Sequence, residues 1–513
     1  MDARDDEATL PAGTVDGPGP DGPSDGLLIR HDAWLLWRAL CGEAQANMRL
    51  QRQLDAIHGS RSWRVTAPLR AIQGWLRRVG GAASRRPLAP CPDGTVGPMS
   101  GGPGDGPDNE DRMAALTGSV RGHVFQTGVA QLLVDVTELA LEDHGGGIQR
   151  VVARILSELV FAPPSGFTVV PVRLGAEERY LEARRFLSPF IGMGNDAFGP
   201  DRPVTARSSD VFIGLDLIRD RTDVAAEAIQ SLRLAGARIV VVIYDLLPVR
   251  QPQWFPGDIP DRFGEWFDRI AMSADGVACI SVAVAEECKA AAKDRLGRLP
   301  PPVATFPMGA DFAAWLPRQQ ILPRTSSVRV LMVGTLEPRK GHALALDAVE
   351  MLWTRGLEVE LVIAGRVGWN VAALRARIAT HAKLGSSLHW VEQPSDGVLA
   401  GLYRESDFLL MASSAEGFGL PIVEAGRAGC GLILRDLPVF REIAGNDAHY
   451  FSGGAERLAE AIRLCVAEGV PAHRRVLVTS DWSVSTDGLL KACGIMAPRG
   501  GPRQIPESSE ANE

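Results

Sequence analysis

Several things the chain has little of narrow the reading first. Its seven cysteines (Cys41, Cys91, Cys279, Cys288, Cys430, Cys465 and Cys493) are scattered and odd in number, with no close pair at zinc-like spacing. Such a set fits reduced thiols in a cytosolic protein better than a disulfide framework. No apolar run reaches the ~18 residues that a bilayer crossing needs. Lysine and arginine (54) are outnumbered by aspartate and glutamate (62), a formal net charge of -8, so nucleic acid is not the default partner. The opening stretch, residues 1–26, is acidic and rich in proline and glycine, which is not the pattern of a signal peptide. A soluble cytoplasmic protein is expected. With 513 residues, 45% of them hydrophobic, the chain has room for two or three domains with sizeable cores.

Composition then divides the chain. Residues 1–26 read as a disordered acidic tail. Residues 27–86 form a helical, basic and amphipathic extension: Trp34, Leu35, Leu36, Leu40, Met48, Leu50 and Leu54 recur among polar residues. From Arg61 to Arg86 every basic residue is arginine and no acidic residue intervenes, while Trp63, Trp75 and Leu76 supply an apolar side. Such a segment suits peripheral contact with an anionic membrane surface. A partner-binding or self-associating helix is the equal alternative. Residues 87–128 read as a flexible linker.

A folded unit is predicted over 129–318. It opens with a strand at Leu132–Val136, the glycines Gly145, Gly146 and Gly147, and a helical pattern through Val151, Val152, Ile155, Leu156 and Leu159. Strand, glycine loop and helix begin a doubly wound domain, and such a loop can approach a phosphate. Further strands are expected at 168–172, 211–215, 238–244 and 276–280. A second unit, 319–475, alternates strands at 328–333, 359–364, 388–391, 408–411 and 431–434 with helical patterns. Alternation of this kind predicts parallel sheets with helices on both faces. A helix containing Trp482 (476–495) and a polar tail (496–513) complete the chain.

The chemistry concentrates at Ser413–Ala425, which reads Ser-Ser-Ala-Glu-Gly-Phe-Gly-Leu-Pro-Ile-Val-Glu-Ala. A buried strand precedes it, and Pro421 suits the first turn of a helix. In the turn Gly417-Phe418-Gly419-Leu420 the glycines let backbone N–H groups approach a ligand, and the helix N-terminus favours an anion. Glu416 and Glu424, at either end, can accept hydrogen bonds from hydroxyls. A polyhydroxylated ligand carrying phosphate suits this arrangement. Upstream, the loop from Gly334 and Thr335 to Arg339 and Lys340 leads into another helix, where two cations would clamp a diphosphate.

These stretches resemble the paired-glutamate and phosphate-binding motifs of glycosyltransferase family 4 (glycosyl transferases group 1), retaining enzymes of the GT-B fold. They are particularly similar to bacterial mannosyltransferases of surface-polysaccharide and O-antigen assembly. The resemblance covers roughly residues 131–490. It implies two Rossmann-like domains facing a cleft, an N-terminal acceptor domain and a C-terminal nucleotide-sugar domain, with the helical extension outside it. It implies that Glu416 holds the donor sugar, Glu424 the nucleotide ribose, and Lys340 the phosphates, with Arg339 beside it. Thr335 stands where many members have arginine. Tyr244 stands where many have histidine, before Asp245, so a histidine role does not transfer. Gly146, Gly147, His144, Tyr244 and Asp245 are the candidates for the acceptor or cleft side. Ser281 is expected as a helix N-cap, Glu442 as a structural residue, and residues 308–311 as the hinge.

The reaction implied is transfer of a sugar from a nucleotide-diphosphate donor, GDP-mannose by resemblance, to a glycan or lipid-linked acceptor. The leaving phosphate serves as the base, and no metal and no cofactor is expected. A nucleotide-sugar epimerase on the same fold is one rival, which the two glutamates with Lys340 disfavour. A non-catalytic scaffold of polysaccharide assembly is the other, and Thr335 and Tyr244 are the features that favour it.

Overall fold

A computed structural model describes residues 118, 120–143, 145–194, 196–218, 220–310, 321–323, 325–468, 480–496 and 498–499. The acidic tail, the basic extension with the stretch 61–86 expected at a membrane, most of the linker, His144, Asp311 and the expected boundary at 318 lie outside the described residues. So does the C-terminal tail from 500 onward. One compact unit, Ser119–Ser188 with Asn195–Gly500, holds both sheets. Of the other unit, Met1–Gly118 with Pro189–Gly194 and Gly501–Glu513, only 118 and 189–194 are described.

The first sheet grows from β1 (Ala130–Asp135). It is followed by α1 (Thr137–Leu141), α2 (Gly147–Phe161), β2 (Phe167–Leu174), β3 (Tyr180–Glu182), α3 (Arg184–Phe190), β4 (Arg202–Pro203) and β5 (Val211–Gly214). Then come α4 (Thr222–Leu234), β6 (Arg238–Ile243), α5 (Leu247–Arg250), α6 (Ile259–Arg269), β7 (Gly276–Cys279), α7 (Val282–Leu296) and β8 (Val303–Thr305). Among the described residues the order is β4-β3-β2-β1-β5-β6-β7-β8. The sheet is parallel except where β3 and β4 pair antiparallel at one edge. Runs such as Leu132–Val134 and Ile239–Ile243 lack polar alternation because both faces of the sheet are covered. Ser281 caps α7, its Oγ accepting from the Val284 amide at 3.1 Å, as its place before the helix predicts.

The second sheet begins with β9 (Val328–Val333). After it come α8 (His342–Thr354), β10 (Val359–Ala364), α9 (Ala372–Ala379), β11 (Leu388–Val391), α10 (Asp396–Glu405) and β12 (Phe408–Met411). The half closes with α11 (Leu420–Ala428), β13 (Gly431–Arg435), α12 (Pro438–Ala444), β14 (His449–Phe451) and α13 (Ala455–Glu468). All its strands are parallel, in the order β11-β10-β9-β12-β13-β14. The side-chain period of two sorts each strand between two cores. Val330, Met332, Ile363 and Leu410 pack with Leu346 and Val349 of α8 and Ile462 of α13. Leu331, Val362, Leu409 and Met411 pack with Leu402 of α10, Ile422 of α11 and Phe440 of α12.

One strand carries a buried charge. Arg329 of β9 is 1% exposed and sits opposite Glu360 of β10, with Nε–Oε2 at 2.8 Å; its Nη2 donates to the Pro323 carbonyl at 2.6 Å. Beyond both sheets, α14 (Trp482–Ala492) packs on α2, and Arg499 ties Asp487 to Glu158. Among the described residues no helix is long and apolar enough to cross a membrane. Two mainly parallel sheets with interleaved helices form the α/β, GT-B architecture that the resemblance implied.

The strand orders set a switch point in each sheet. β9 lies between β10 and β12, and β1 between β2 and β5, so chain direction switches sides at each. A crevice opens outside the carboxyl ends of the strands at such a point. In the second sheet the loops that flank it are 334–341 after β9 and 412–419 after β12.

Candidate functional site

These two loops are stitched together. Gly341 has φ +75°, and a Cβ there would lie 2.4 Å from the Ala412 carbonyl oxygen, so the chain can pass only as glycine. The Ser414 amide donates to the Arg339 carbonyl at 2.7 Å. That contact brings the two cations of one loop against the glutamate of the other. Lys340 Nζ donates to Glu416 Oε1 at 2.5 Å, and Ser413 Oγ donates to the same oxygen at 2.7 Å. Arg339 Nη1 reaches Glu416 Oε2 at 3.1 Å and also the Ala415 carbonyl, while its Nη2 lies 2.8 Å from Glu337 Oε1. The Glu416, Arg339 and Lys340 side chains are 9%, 13% and 17% exposed.

Burial alone would push the Glu416 carboxyl up. The two cations and the hydrogen bonds from Lys340 and Ser413 outweigh it and bring the group down to about 2. Glu337 responds the other way: burial raises it, against the pull of Arg339 and Lys340. Behind Lys340, His342 is 2% exposed, and burial followed by the nearby ammonium lowers it to about 3, so it is a neutral imidazole. Gly334 and Thr335 are half-buried at the start of the β9 loop. Phe418 and Leu420 are half-buried too, and Gly419 is the N-cap of α11.

The first half meets this site at three points. A Cβ on Gly417 would fall 2.0 Å from the Tyr244 carbonyl oxygen and 2.9 Å from Asp245 Cβ, so only glycine lets the loops touch. Ser281 Oγ donates to the Gly417 carbonyl at 2.9 Å, a contact beyond its capping role. Asp245 is half-buried; desolvation raises its carboxyl, with Arg339 the largest opposing influence. Tyr244 turns its hydroxyl away to the Leu215 carbonyl, 2.7 Å distant, and is 7% exposed, so it offers the cleft its backbone rather than its phenol.

The third contact joins the glycine loop to the second glutamate. Gly146 is the N-cap of α2, and a Cβ on Gly147 would come 4.0 Å from Leu420 Cδ1. On the first turn of α2, Arg150 Nη1 donates to Glu424 Oε1, while Tyr403 Oη donates to Glu424 Oε2 at 2.7 Å. Glu424 is 4% exposed, and burial followed by its charge raises the Tyr403 phenol.

Thus Arg339, Lys340 and Glu416 form one cluster with Asp245 and Gly417 beside it. Glu424 forms a second cluster, with Arg150 and Tyr403. Reading the sequence missed Arg150, Tyr403, Ser413 and Glu337 as site groups. Only Arg150 had a local signal, its place just after three glycines at the start of a helix. Ser413 and Glu337 lie three and two positions from Glu416 and Arg339, inside the two loops already singled out, but neither forms a pattern that marks its contact; Tyr403 depends on a contact 21 positions away.

At the crevice of the first sheet, Asp135 and Asp216 form a buried acidic pair. Thr137 Oγ1 donates to Asp135 Oδ1 at 2.5 Å and Tyr180 Oη to Oδ2 at 3.0 Å; the amides of Leu139 and Leu217 donate to Asp216. Burial, then mutual repulsion, raises Asp135 to about 7; burial raises Asp216 to about 6. Among the described residues no group of three or more histidine, cysteine, aspartate or glutamate side chains is arranged to hold a metal ion. The five described cysteines are free and buried.

Residues 315–477 match the family model described as glycosyl transferases group 1. Over 405 residues, 76% of the chain, the sequence is 38% identical to the serotype-specific mannosyltransferase WbdA of Escherichia coli, covering 49% of that protein. It is 28% identical over 191 residues to the phosphatidyl-myo-inositol mannosyltransferase of Mycobacterium tuberculosis, covering 34% of this chain and 49% of that one. A GDP-mannose:cellobiosyl-diphosphopolyprenol alpha-mannosyltransferase of Xanthomonas campestris is 34% identical over 116 residues, 22% of this chain and 30% of that one. The chain spans about half the length of the first of these relatives. Among solved structures, sucrose-phosphate synthase from Thermosynechococcus elongatus aligns with a TM-score of 0.47 at 18% identity, covering 72% of this chain and 95% of that one. HepE of Anabaena, in complex with UDP and glucose, aligns at 0.45 and 15% identity, covering 72% and 96%.

Proposed function

We propose that this chain, whose residues 315–477 belong to the glycosyl transferases group 1 family, is a retaining glycosyltransferase that moves a mannosyl group from a nucleotide-diphosphate sugar to a hydroxyl of a growing glycan. The observation that carries the reading is the ionised Glu416 held between Lys340 and Arg339 at a strand-order crevice. An entering diphosphate takes the two cations, and Glu416 turns its oxygens to the hydroxyls of the sugar. Glu424 accepts from the ribose. Gly417 to Leu420 lie at the start of α11, where backbone amides face the phosphates. The mannosyltransferase names of the relatives support mannose as the sugar, and the name of the Xanthomonas campestris enzyme supports GDP-mannose as the donor.

The chemistry is then front-face displacement. The bond from the anomeric carbon to the phosphate oxygen breaks, and its electron pair stays on the phosphate, where Lys340 and Arg339 stabilise the charge. The acceptor hydroxyl forms the new bond on the same face and hands its proton to the departing phosphate oxygen, so no separate protein base is needed. Residues 129–318 supply the acceptor side, around Gly146, Gly147, Tyr244 and Asp245, and residues 319–475 the donor side. The acceptor is a glycan or lipid-linked glycan, and the cytoplasmic face of the plasma membrane is where the basic stretch 61–86 would hold the enzyme.

Nucleotide release from GDP-, UDP-, dTDP- and ADP-sugars, measured with a lipid-linked mannoside acceptor, tests this. One donor is expected to turn over, and Glu416→Gln and Lys340→Ala should each lower that rate by about 10²–10³. No release from any donor would leave a scaffold that keeps the fold without the reaction.

A further inference from the structure

Glu424 is engaged on both carboxylate oxygens. Tyr403 holds one, and Arg150, which belongs to the other sheet, donates to the second. Arg150 Nη2 also lies 3.9 Å from Asp396 Oδ1, so the guanidinium sits between two carboxylates of the second half. The Glu424 side chain is 5% exposed and that of Arg150 is 27% exposed. The carboxylate is therefore the shut-in partner, and the guanidinium is the one that reaches solvent.

A ribose diol is neutral. If it claimed Glu424 by expelling Arg150, a buried carboxylate would lose its cation, which is strongly unfavourable. A guanidinium presents five N–H donors in a rigid planar fork, so it can keep one edge on Glu424 and offer another to a second anion. In a nucleoside diphosphate that anion is close at hand, because the first phosphate is bonded to the 5′ carbon of the same ribose. We infer that Arg150 is a donor-contacting residue supplied from the opposite half, bridging Glu424 and the diphosphate of the bound nucleotide. This rests on the nucleotide-sugar reading of the site and adds a third cation to Lys340 and Arg339. Its chemistry differs from theirs: it reads ribose and phosphate together, so it responds to a nucleotide and not to either part alone.

The test is a comparison of nucleotides with their nucleosides. Binding of GDP, UDP, dTDP and ADP, and of the four nucleosides, is titrated calorimetrically to the full chain and to Arg150→Gln and Arg150→Lys. For the diphosphate that wild type binds, Arg150→Gln should weaken affinity about 10- to 100-fold. Its nucleoside should lose threefold or less, or bind more tightly, because the competing cation has gone. Arg150→Lys keeps the charge without the fork and should fall between, with KM for the donor raised more than kcat is lowered. Equal losses for nucleotide and nucleoside, or none for either, in a variant that melts like wild type, overturn the role of Arg150 alone. Should Arg150→Gln fail to fold, Arg150→Lys is judged by the same split, and unchanged diphosphate affinity overturns it. Wild type that binds no nucleotide at all overturns both this role and the donor site on which it rests.

Discussion

Glu416 and Asp135 both stand near the carboxyl ends of parallel strands, and their surroundings drive them in opposite directions. Asp135 is buried with Asp216 for a neighbour, and those two influences lift it from 3.8 to about 7 against the hydrogen bonds of Thr137 and Tyr180. The folded protein therefore prefers the protonated acid, whereas the unfolded chain ionises near 3.8. The stability this group gives is fully present below about 3.8 and is lost as pH rises through about 7. Asp216, at about 6, acts in the same sense. Thermal unfolding followed from pH 5 to 8 should show wild type losing stability, and Asp135→Asn, which imitates the protonated form, should flatten that slope. The difference at pH 8 is on the order of 4 kcal/mol at most, by linkage; identical slopes would remove Asp135 as the cause. Glu416, lowered from 4.5 to about 2, has the reverse sign: its contribution is present above 4.5 and lost as pH falls through about 2. The pH profile of kcat/KM for the donor, which reports the free enzyme, should accordingly carry no titration of Glu416 between pH 5 and 9.

At the scale of elements, the tightest constraint is one loop lying on another. Gly417→Ala would set a methyl 2.0 Å from the Tyr244 carbonyl oxygen, and the loops can make room only by separating. Overpacking of this kind costs about 1–3 kcal/mol, which the fold should survive. Glu416 stands next in the chain and would be carried off its partners, so donor turnover should fall on the order of 10²-fold in a protein that still melts cooperatively. Full activity in that variant would mean that the contact does not position the site. The elements on which this depends were largely legible, because parallel strands covered on both faces read as unbroken apolar runs and Pro421 marks the start of α11. β3 and β4 were not foreseen, since strands of three and two residues are too short to show a period. Nor was buried Arg329, which is tolerated in β9 only because register sets it opposite Glu360. The pairing of Arg150 with Glu424 spans 274 positions, and no local pattern carries that information.

For the molecule as a whole, specific contacts among the described residues join the two sheets. The Glu442 carboxylate accepts from the amides of Val282 and Ala283 at 2.8 and 3.1 Å, so a residue of the second half completes the N-terminus of α7 in the first. The structural role expected of Glu442 is thus a cap across the join. Ser281, Gly417, Arg150 and Glu424 add polar links nearby. Another link is aromatic: Trp369 Nε1 donates to the Trp254 carbonyl at 2.8 Å, and its ring lies 5.9 Å from that of Phe255. That indole is half-buried, so its light emission depends on whether the two halves stay together. Donor binding that alters their spacing should shift the emission wavelength on mixing, and Trp369→Phe should abolish that component among the chain's eleven tryptophans. The contact thereby offers a built-in optical gauge, through which any change in the spacing of these two loops can be timed without an attached dye.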